Sequence, residues 1–413
     1  MNEEQFSSGS GYSVSLSSDG TIVAIGAIYN HGGNKTWSGH VRVYRNSNEI
    51  WEQIGSDIDG ESAEDESGWS VSLSSNGSVV AIGTYKNDGN GENSGHVRIY
   101  SNNNEVWEQI GSDIDGEAAG DYSGFSNSLS LSSDGNTVAI GAYLNDGNGE
   151  NSGHVRIYRN NNSVWEQVGS DINGEAAFDH SGVSVSLSSD GTIVAISAPG
   201  SSGNNIGAVG QVLVYKNNNG SWEQVGDGID GEAYLDRSGS SVSLSSNGSI
   251  VVIGARGNDG NGDKSGHVRI YRNNNGSWEQ VGVDIDGEAA NNLSGGSVSV
   301  SSDGSIVAIG GRENNGNGIK SGHVRVYNLS TVLKTTDFLV SKFSVFPNPV
   351  INSFTILLKE NIQLKKVSIY NGLGQFIKSS KILTTNTSNL TKGIYVLKIE
   401  TDKGTASKKL VIE

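Results

Sequence analysis

Five of the seven histidines in this 413-residue chain sit in one repeated heptad. It reads "SGHVRIY" at 94–100, with close copies at 38–44, 152–158, 265–271 and 321–327. Its His, Arg and Tyr alternate, so in a strand the three side chains share a face. Imidazole beside guanidinium invites an acid–base reading. Five equivalent copies argue against it, because catalysis needs one asymmetric set of groups converging on one point. The heptad is therefore expected to be a packing element. A four-residue loop at 46–49 would place Tyr44 opposite Trp51 and Arg42 opposite Gln53. Such an aromatic cross-strand pair contributes ~0.2–1 kcal/mol, with the arginine stacked beside it.

Two acidic patterns are candidate metal ligands. "DIDGE" at 57–61 and its counterparts at 113–117, 171–175, 228–232 and 284–288 alternate carboxylates before and after a Gly turn. Asp57, Asp59 and Glu61 would share a face and suit Ca²⁺; they suit a solvated inter-repeat turn equally. "NDGNGENSG" at 87–95 spaces Asp88, Asn90 and Glu92 like an EF-hand loop. An EF-hand, however, needs Gly next and Glu at position twelve, where this chain has Asn93 and Ile99. A flexible exposed loop is the plainer reading. No other cofactor is implied. No nucleophile–base pair, phosphate loop or single-copy carboxylate pair stands out, so the chain is expected not to be an enzyme. The copy at 197–215 replaces His by Gln211 and Arg by Leu213, and drift is a simpler account of that than a binding site.

These residues are carried by a repeat. Aligned on His40, His96, His154, Gln211, His267 and His323, six copies recur every 56–58 residues. In the second copy, runs at 70–75, 78–84, 95–101 and 106–114 have the apolar alternation of strands. The first two are joined by Asn76-Gly77, and the other copies use Asp-Gly or Asn-Gly at the same place, as two-residue hairpins require. A four-stranded meander repeated radially is a β-propeller blade. Blades are covered on both faces, which explains the continuously apolar "VAIGA" strand. The third copy has two extra residues in its first strand. An insertion of two keeps side chains on their faces, whereas one would flip them.

The remaining composition agrees. There are 58 Gly and 3 Pro, and no Cys for disulfides, thiol catalysis or thiolate zinc sites. Net charge is −17 and divides unevenly. Residues 334–413 hold 12 Lys and 5 acidic residues; the rest holds 16 basic and 40 acidic. The contrast marks a domain boundary, and the acidic part excludes nucleic acid as a partner. No apolar run is long enough to span a bilayer, and no signal peptide is visible at the N-terminus. Six first, second and third strands accompany only five "WEQ" strands, at Trp51, Trp107, Trp165, Trp222 and Trp278. The chain thus reads as truncated at its N-terminus. "STVLKTT" (330–336) is a poor candidate to close the ring.

Residues 4–327 resemble the FG-GAP repeat of integrin-type propellers. "G-x-V-x-V-Y" strands follow each second strand, Ser-Gly replaces the family's Phe-Gly, and Ala198-Pro199 keeps the Ala-Pro. In that family the calcium loop lies between the first two strands, where this chain has a two-residue turn. The end of the chain resembles the C-terminal sorting domain of type IX secretion in Bacteroidota. Its landmarks occur in order: "FPNP" (346–349), "SIYNGLGQ" (368–375), "KGIYVLKI" (392–399) and "KKLVI" (408–412). Pro347, Asn348, Pro349, Gly393, Tyr395, Lys398 and Lys409 carry the sorting motif. The resemblance implies export across the outer membrane, with the secretion machinery as a partner. The chain is then expected to be all-β. A propeller of six four-stranded repeats (1–327), short of a strand at its N-terminal end, is followed by a linker (328–342) and a small Ig-like β-sandwich (343–413). It is expected at the cell surface or outside the cell, as a non-enzymatic adhesion module for a glycan or protein. A polymer-degrading propeller enzyme and a structural spacer of a larger surface protein are the alternatives.

Overall fold

Asp-Gly and Asn-Gly turns start each hairpin. At the first, Asp19 accepts from the Ser17 hydroxyl (2.7 Å) and the Thr21 amide (3.0 Å), while Gly20 takes a φ of 71°. From such turns a computed structural model builds an all-β chain. It describes residues 8–31, 35–202, 208–329, 343–358, 362–371, 376–401 and 404–412. The chain divides into two units, Met1–Tyr327 and Asn328–Glu413. The segment 330–342, with most of the expected linker and "STVLKTT", lies outside the described residues.

Among the described residues the six repeats form six antiparallel sheets, five of five strands and one of three. The third repeat shows the plan. Leu129–Leu131, Thr137–Ala142, His154–Asn161 and Val164–Gln167 follow one another across the sheet, and Ile172–Asn173 returns to the third strand. The expected single "WEQ" strand is thus two short strands separated by a kink. Val168 donates to Ile157 O (2.8 Å), and Gly169 turns the chain with a φ of 78°. Both pieces pair with the same partner, as Tyr158↔Gln167 and Val155↔Ile172.

The register differs from expectation. Tyr44 lies opposite Gln53 and Asn46 opposite Trp51. The hairpin loop is two residues, Asn48 and Glu49, both at positive φ, instead of four. Asn and Glu at this position adopt the left-handed turn, so the strands run two residues further. The tryptophan keeps its place in the strand, but its indole reaches across to the preceding repeat instead of stacking on the tyrosine. Trp107, Trp165, Trp222 and Trp278 donate their indole N–H to Ile54, Ile110, Val168 and Val225 O of the preceding repeat (2.7–2.9 Å).

The two-residue insertion in the third repeat does not lengthen its strand. It forms a turn ahead of it, with Ser128 donating to Phe125 O and Ser126 at a φ of 54°. Leu129 and Leu131 still face Ile140 and Val138, as the spacing of faces requires.

Junctions between repeats bury both faces of each sheet. Val155 and Ile157 pack on Val185, Leu187, Val194 and Ile196 of the next repeat, while Tyr158 and Trp165 pack on the previous one. Serines of the first strands bond across each junction, as in Leu131 N–H to Ser72 Oγ and Leu187 N–H to Ser130 Oγ. Gly174 approaches Ser152 O so closely that a Cβ would sit 2.1 Å from it. The same holds at Gly60, Gly116, Gly231 and Gly287. At the first and last repeats one face of the sheet is open: Leu16 is 59% and Val324 69% exposed, where Leu131 and Val155 are 8% and 0%. The first strands line a channel of about 510 Å³ bordered by Tyr12, Trp69, Asn127, Ser184 and Ser241.

Among the described residues the second unit has seven strands in two sheets. Phe343–Phe346, Ser353–Leu358 and Thr384–Asn386 form one; Leu364–Asn371, Phe376–Ser380, Gly393–Thr401 and Gly404–Ile412 form the other. Phe354, Ile356, Ile369, Leu397 and Leu410 fill the core of this sandwich.

Candidate functional site

The heptad lies at the junctions. In "HVRIY", valine and isoleucine face the next repeat and His, Arg and Tyr face the previous one. Arg98 donates to Asp59 O of the preceding repeat (2.9 Å), and Arg156, Arg269 and Arg325 do the same to Asp115, Asp230 and Asp286 O (2.6–2.8 Å). Each also lies over its own tyrosine, Arg98 at 5.6 Å from the Tyr100 ring. Arg42, in the first repeat, instead grips Asp57 of its own repeat with two bonds (2.9 and 2.8 Å). In the fourth repeat Leu213 replaces the arginine and is buried, while Gln211 donates to Asp230 (2.9 Å).

His96 and His154 are 1% exposed. Their Nδ1 atoms lie 3.5 Å from Asp113 and 3.6 Å from Glu117. Burial pushes both imidazoles down to about 4, and Arg98 and Arg156 push the same way against the carboxylates. They are neutral at physiological pH.

The structure splits the first acidic candidate set. Asp57 and Asp59 join His40, whereas Glu61 joins His96 and Asp113 of the next repeat. Glu117/His154/Asp171 and Glu232/Asp236/His267 repeat the pattern, donor atoms in each set lying within 4.8 Å of one another. These are the groups that could hold a cation. Arginine already sits on them: Arg98 is 3.4 Å from Glu61, and Arg156 and Arg269 are 3.6 Å from Glu117 and Glu232. A guanidinium supplies the charge a cation would bring, and two carboxylates with one imidazole fall short of the six to eight oxygens of Ca²⁺. Burial raises Asp59 and Glu61. Burial acts on Asp57 in the same direction, but hydrogen bonds from Arg42 and Gln53 hold it below the usual carboxylate range.

Asp88, Asn90 and Glu92 do not converge. Asp88 caps the Asn93 amide (2.7 Å), Asn90 donates to Gly116 and Glu117 O (3.0 and 2.8 Å), and Glu92 offers its backbone carbonyl to Gly120. The loop is a hydrogen-bonded structural turn rather than a loose one.

Against this repeated frame, four positions vary from copy to copy, where the chain enters the first strand, leaves the second or approaches the third. After Ser-Gly come Tyr12, Trp69, Phe125, Val183, Ser240 and Gly296; before it, Glu66, Tyr122, His180, Arg237 and Leu293. After the second strand come Ile28, Tyr85, Tyr143, Pro199, Arg256 and Arg312; before the heptad's Ser-Gly come Trp37, Asn93, Asn151, Lys264 and Lys320. Tyr122, His180, Arg237 and Leu293 all hold φ between 51° and 55°, a left-handed conformation costly for such side chains. The first three repeats supply a continuous aromatic array. Trp69 lies 4.4 Å from Tyr12, 4.5 Å from Tyr85 and 5.3 Å from Phe125, and Tyr143 lies 5.0 Å from Phe125. The fifth and sixth supply arginines. Sequence reading missed this face because it followed what the repeats share; the signal was in the columns where they differ.

In the second unit Asn348 tethers the "FPNP" loop to the last strand, donating to Lys409 O (2.9 Å) and accepting from the Val411 amide (2.8 Å). Pro347 and Pro349 flank it through cis peptides. Gly393 opens the central strand, Tyr395 is buried with its hydroxyl on Thr391 O (3.0 Å), and Lys398 and Lys409 are exposed. Gly393, Tyr395 and Lys398 lie on the strand that pairs with the terminal strand, and Asn348 bonds to that terminal strand from the other sheet's loop.

Comparison with known proteins agrees with both units. The FG-GAP repeat model matches residues 58–100 and 229–271, and the secretion system C-terminal sorting domain model matches residues 344–413. An ulvan lyase of Nonlabens ulvanivorans is 32% identical over 89 residues, 20% of this chain and 16% of that enzyme. The chain therefore spans about a sixth of that relative. A structure described as a 6-phosphogluconolactonase of Bacteroides uniformis aligns with a TM-score of 0.52 at 14% identity, over 77% of this chain and 80% of that one. A periplasmic gluconolactonase of Pseudomonas aeruginosa aligns at 0.48 and 13%, over 90% and 85%. At such identities the first likeness shows the propeller-like fold alone. The sorting domain indicates secretion and cell-surface attachment by the type IX route. This chain thus carries FG-GAP repeats in an all-β, propeller-like fold and ends in a secretion system C-terminal sorting domain.

Proposed function

We propose that the exported propeller is a non-enzymatic binding module whose variable face recognises a surface or extracellular glycan. One observation carries the reading: the junction positions repeat from copy to copy while the four face positions change, giving an aromatic array in one half and arginines in the other. Function on rigid scaffolds gathers on loops, and aromatic rings offer sugars flat, weakly hydrated platforms. Tyr12 and Trp37 stand about half exposed on this side of the first repeat, at 50% and 48%.

A screen of the full chain against glycans and matrix proteins tests the proposal. Binding that falls at least tenfold in Tyr12→Ala or Trp37→Ala supports it; binding that neither variant changes, or none at all, overturns it. The short match to an ulvan lyase prompts a second reading, an enzyme that cleaves its polymer. Progressive shortening of a bound acidic polysaccharide would favour that reading over simple binding.

A further inference from the structure

The arginines of the repeat junctions all have partners, as described above. Three arginines on the variable face do not. The guanidinium groups of Arg237, Arg256 and Arg312 make no hydrogen bond or ion pair with any described residue. They border a cleft of about 410 Å³ together with Tyr234 and Lys264. Two carboxylates, Asp259 and Asp263, also line it, and Asp259 is engaged by the Lys264 amide at 2.8 Å. Four cations thus face two anions in a chain whose net charge is −17.

Arg256 is half-buried, and burial, then Arg237 and Arg312, push its guanidinium down. Like charges taken from water without a partner are costly. Arg237 adds the left-handed backbone already noted. Planar guanidinium groups match the paired oxygens of a carboxylate or sulfate. The cleft adjoins the aromatic half of the face, since Arg312 lies close enough to Tyr12 to influence its ionisation.

We propose that Arg237, Arg256 and Arg312 form an oxyanion subsite for the sulfate ester or carboxylate of an acidic polysaccharide whose sugar rings lie along the aromatic half of the same face. The proposal rests on the reading of that face as a glycan surface and names the class of glycan. It also explains how an acidic protein binds an acidic polymer: the attraction is local and set against an overall repulsion, so it does not follow from bulk charge.

The test uses the full 413-residue chain with dextran, dextran sulfate and polygalacturonate as probes, measured by calorimetry. The wild-type protein is expected to prefer one acidic polymer to dextran by about tenfold or more. Arg256→Gln and Arg312→Gln each lose about tenfold of that binding, the scale of one charge-assisted contact. Arg159→Gln, the same charge change at an exposed strand position, loses none. Preference for dextran sulfate identifies a sulfate ester, and preference for polygalacturonate a carboxylate. An acidic preference untouched by Arg256→Gln and Arg312→Gln, or an equal loss in Arg159→Gln, overturns the subsite while leaving the glycan surface standing. Failure to bind any of the three polymers, or binding indifferent to Tyr12→Ala, overturns the surface reading itself.

Discussion

The buried histidines make the stability of the propeller pH-dependent in a way the structure quantifies. His96 and His154 have ring pKa values lowered from 6.5 to about 4, by burial first and then by Arg98 and Arg156. Asp113 and Glu61 face His96, and Asp171, Asp121 and Glu117 face His154; their attraction does not offset the loss of water. Because the folded value is depressed, the unfolded chain binds more protons between these limits. Stability is therefore complete above pH 6.5 and is lost as pH falls toward 4. At pH 5 the linkage amounts to about 2 kcal/mol per histidine, or about 4 kcal/mol for the pair. The substitution to use exists in the chain already: Gln211 fills this position in the fourth repeat, bonded to Asp230 at 2.9 Å. Urea unfolding of the wild type and of His96→Gln/His154→Gln, followed by tryptophan fluorescence at pH 7.5 and 5.0, isolates the term. Carboxylates raised by burial, such as Asp59 and Asp115, gain stability on acidification. They are common to both proteins, so they cancel in the difference. The wild type is expected to lose about 4 kcal/mol more than the variant over this interval. Equal pH dependence in the two proteins would refute the claim that these rings are held neutral by the junction.

Two further outcomes are expected. Trp165→Phe keeps most of the ring packing but removes the 2.7 Å bond to Ile110 O, and should cost about 1 kcal/mol, read as a lower urea midpoint at unchanged slope. Asn348→Ala removes both tethers to the terminal strand. Hydrogen exchange at the Val411 amide should accelerate about tenfold or more, with the strands around Ile369 unaffected.

The period, the first three strands of each repeat and the identity of both units were legible because they rest on patterns that repeat or occur in fixed order. The turn chemistry of Asp19-Gly20 and its equivalents fixed the hairpins locally. Where each junction put its charged groups was not legible. Glu61 acts on His96 of the following repeat rather than with Asp57 and Asp59, and no spacing within one copy reveals a partner in the next. The register at Tyr44 was misplaced because Asn48 and Glu49 adopt left-handed backbone that sequence does not announce for glutamate. The variable face was passed over for a related reason. Gln211 and Leu213 drew notice as a broken motif, yet they are junction residues with a satisfied alternative. Tyr122, Tyr143, Arg237 and Arg256 looked like noise between motifs, although there the surface changes character from one repeat to the next.

The arginine tether has a consequence for how this chain can change over time. Its acceptor is the main-chain carbonyl of Asp59, Asp115, Asp230 or Asp286, a group that no substitution can delete. Losing the donor therefore leaves behind a carbonyl that its own short strand or water can satisfy, and a glutamate that water already reaches, Glu61, Glu117 and Glu232 being 45%, 43% and 47% exposed, rather than a buried orphaned charge. The fourth repeat, with Leu213, has taken that path alone. Each junction is free to mutate singly, without waiting for a compensating change across the interface. Related sequences should consequently show little pairwise covariation between the third-strand arginine and the residue it grips.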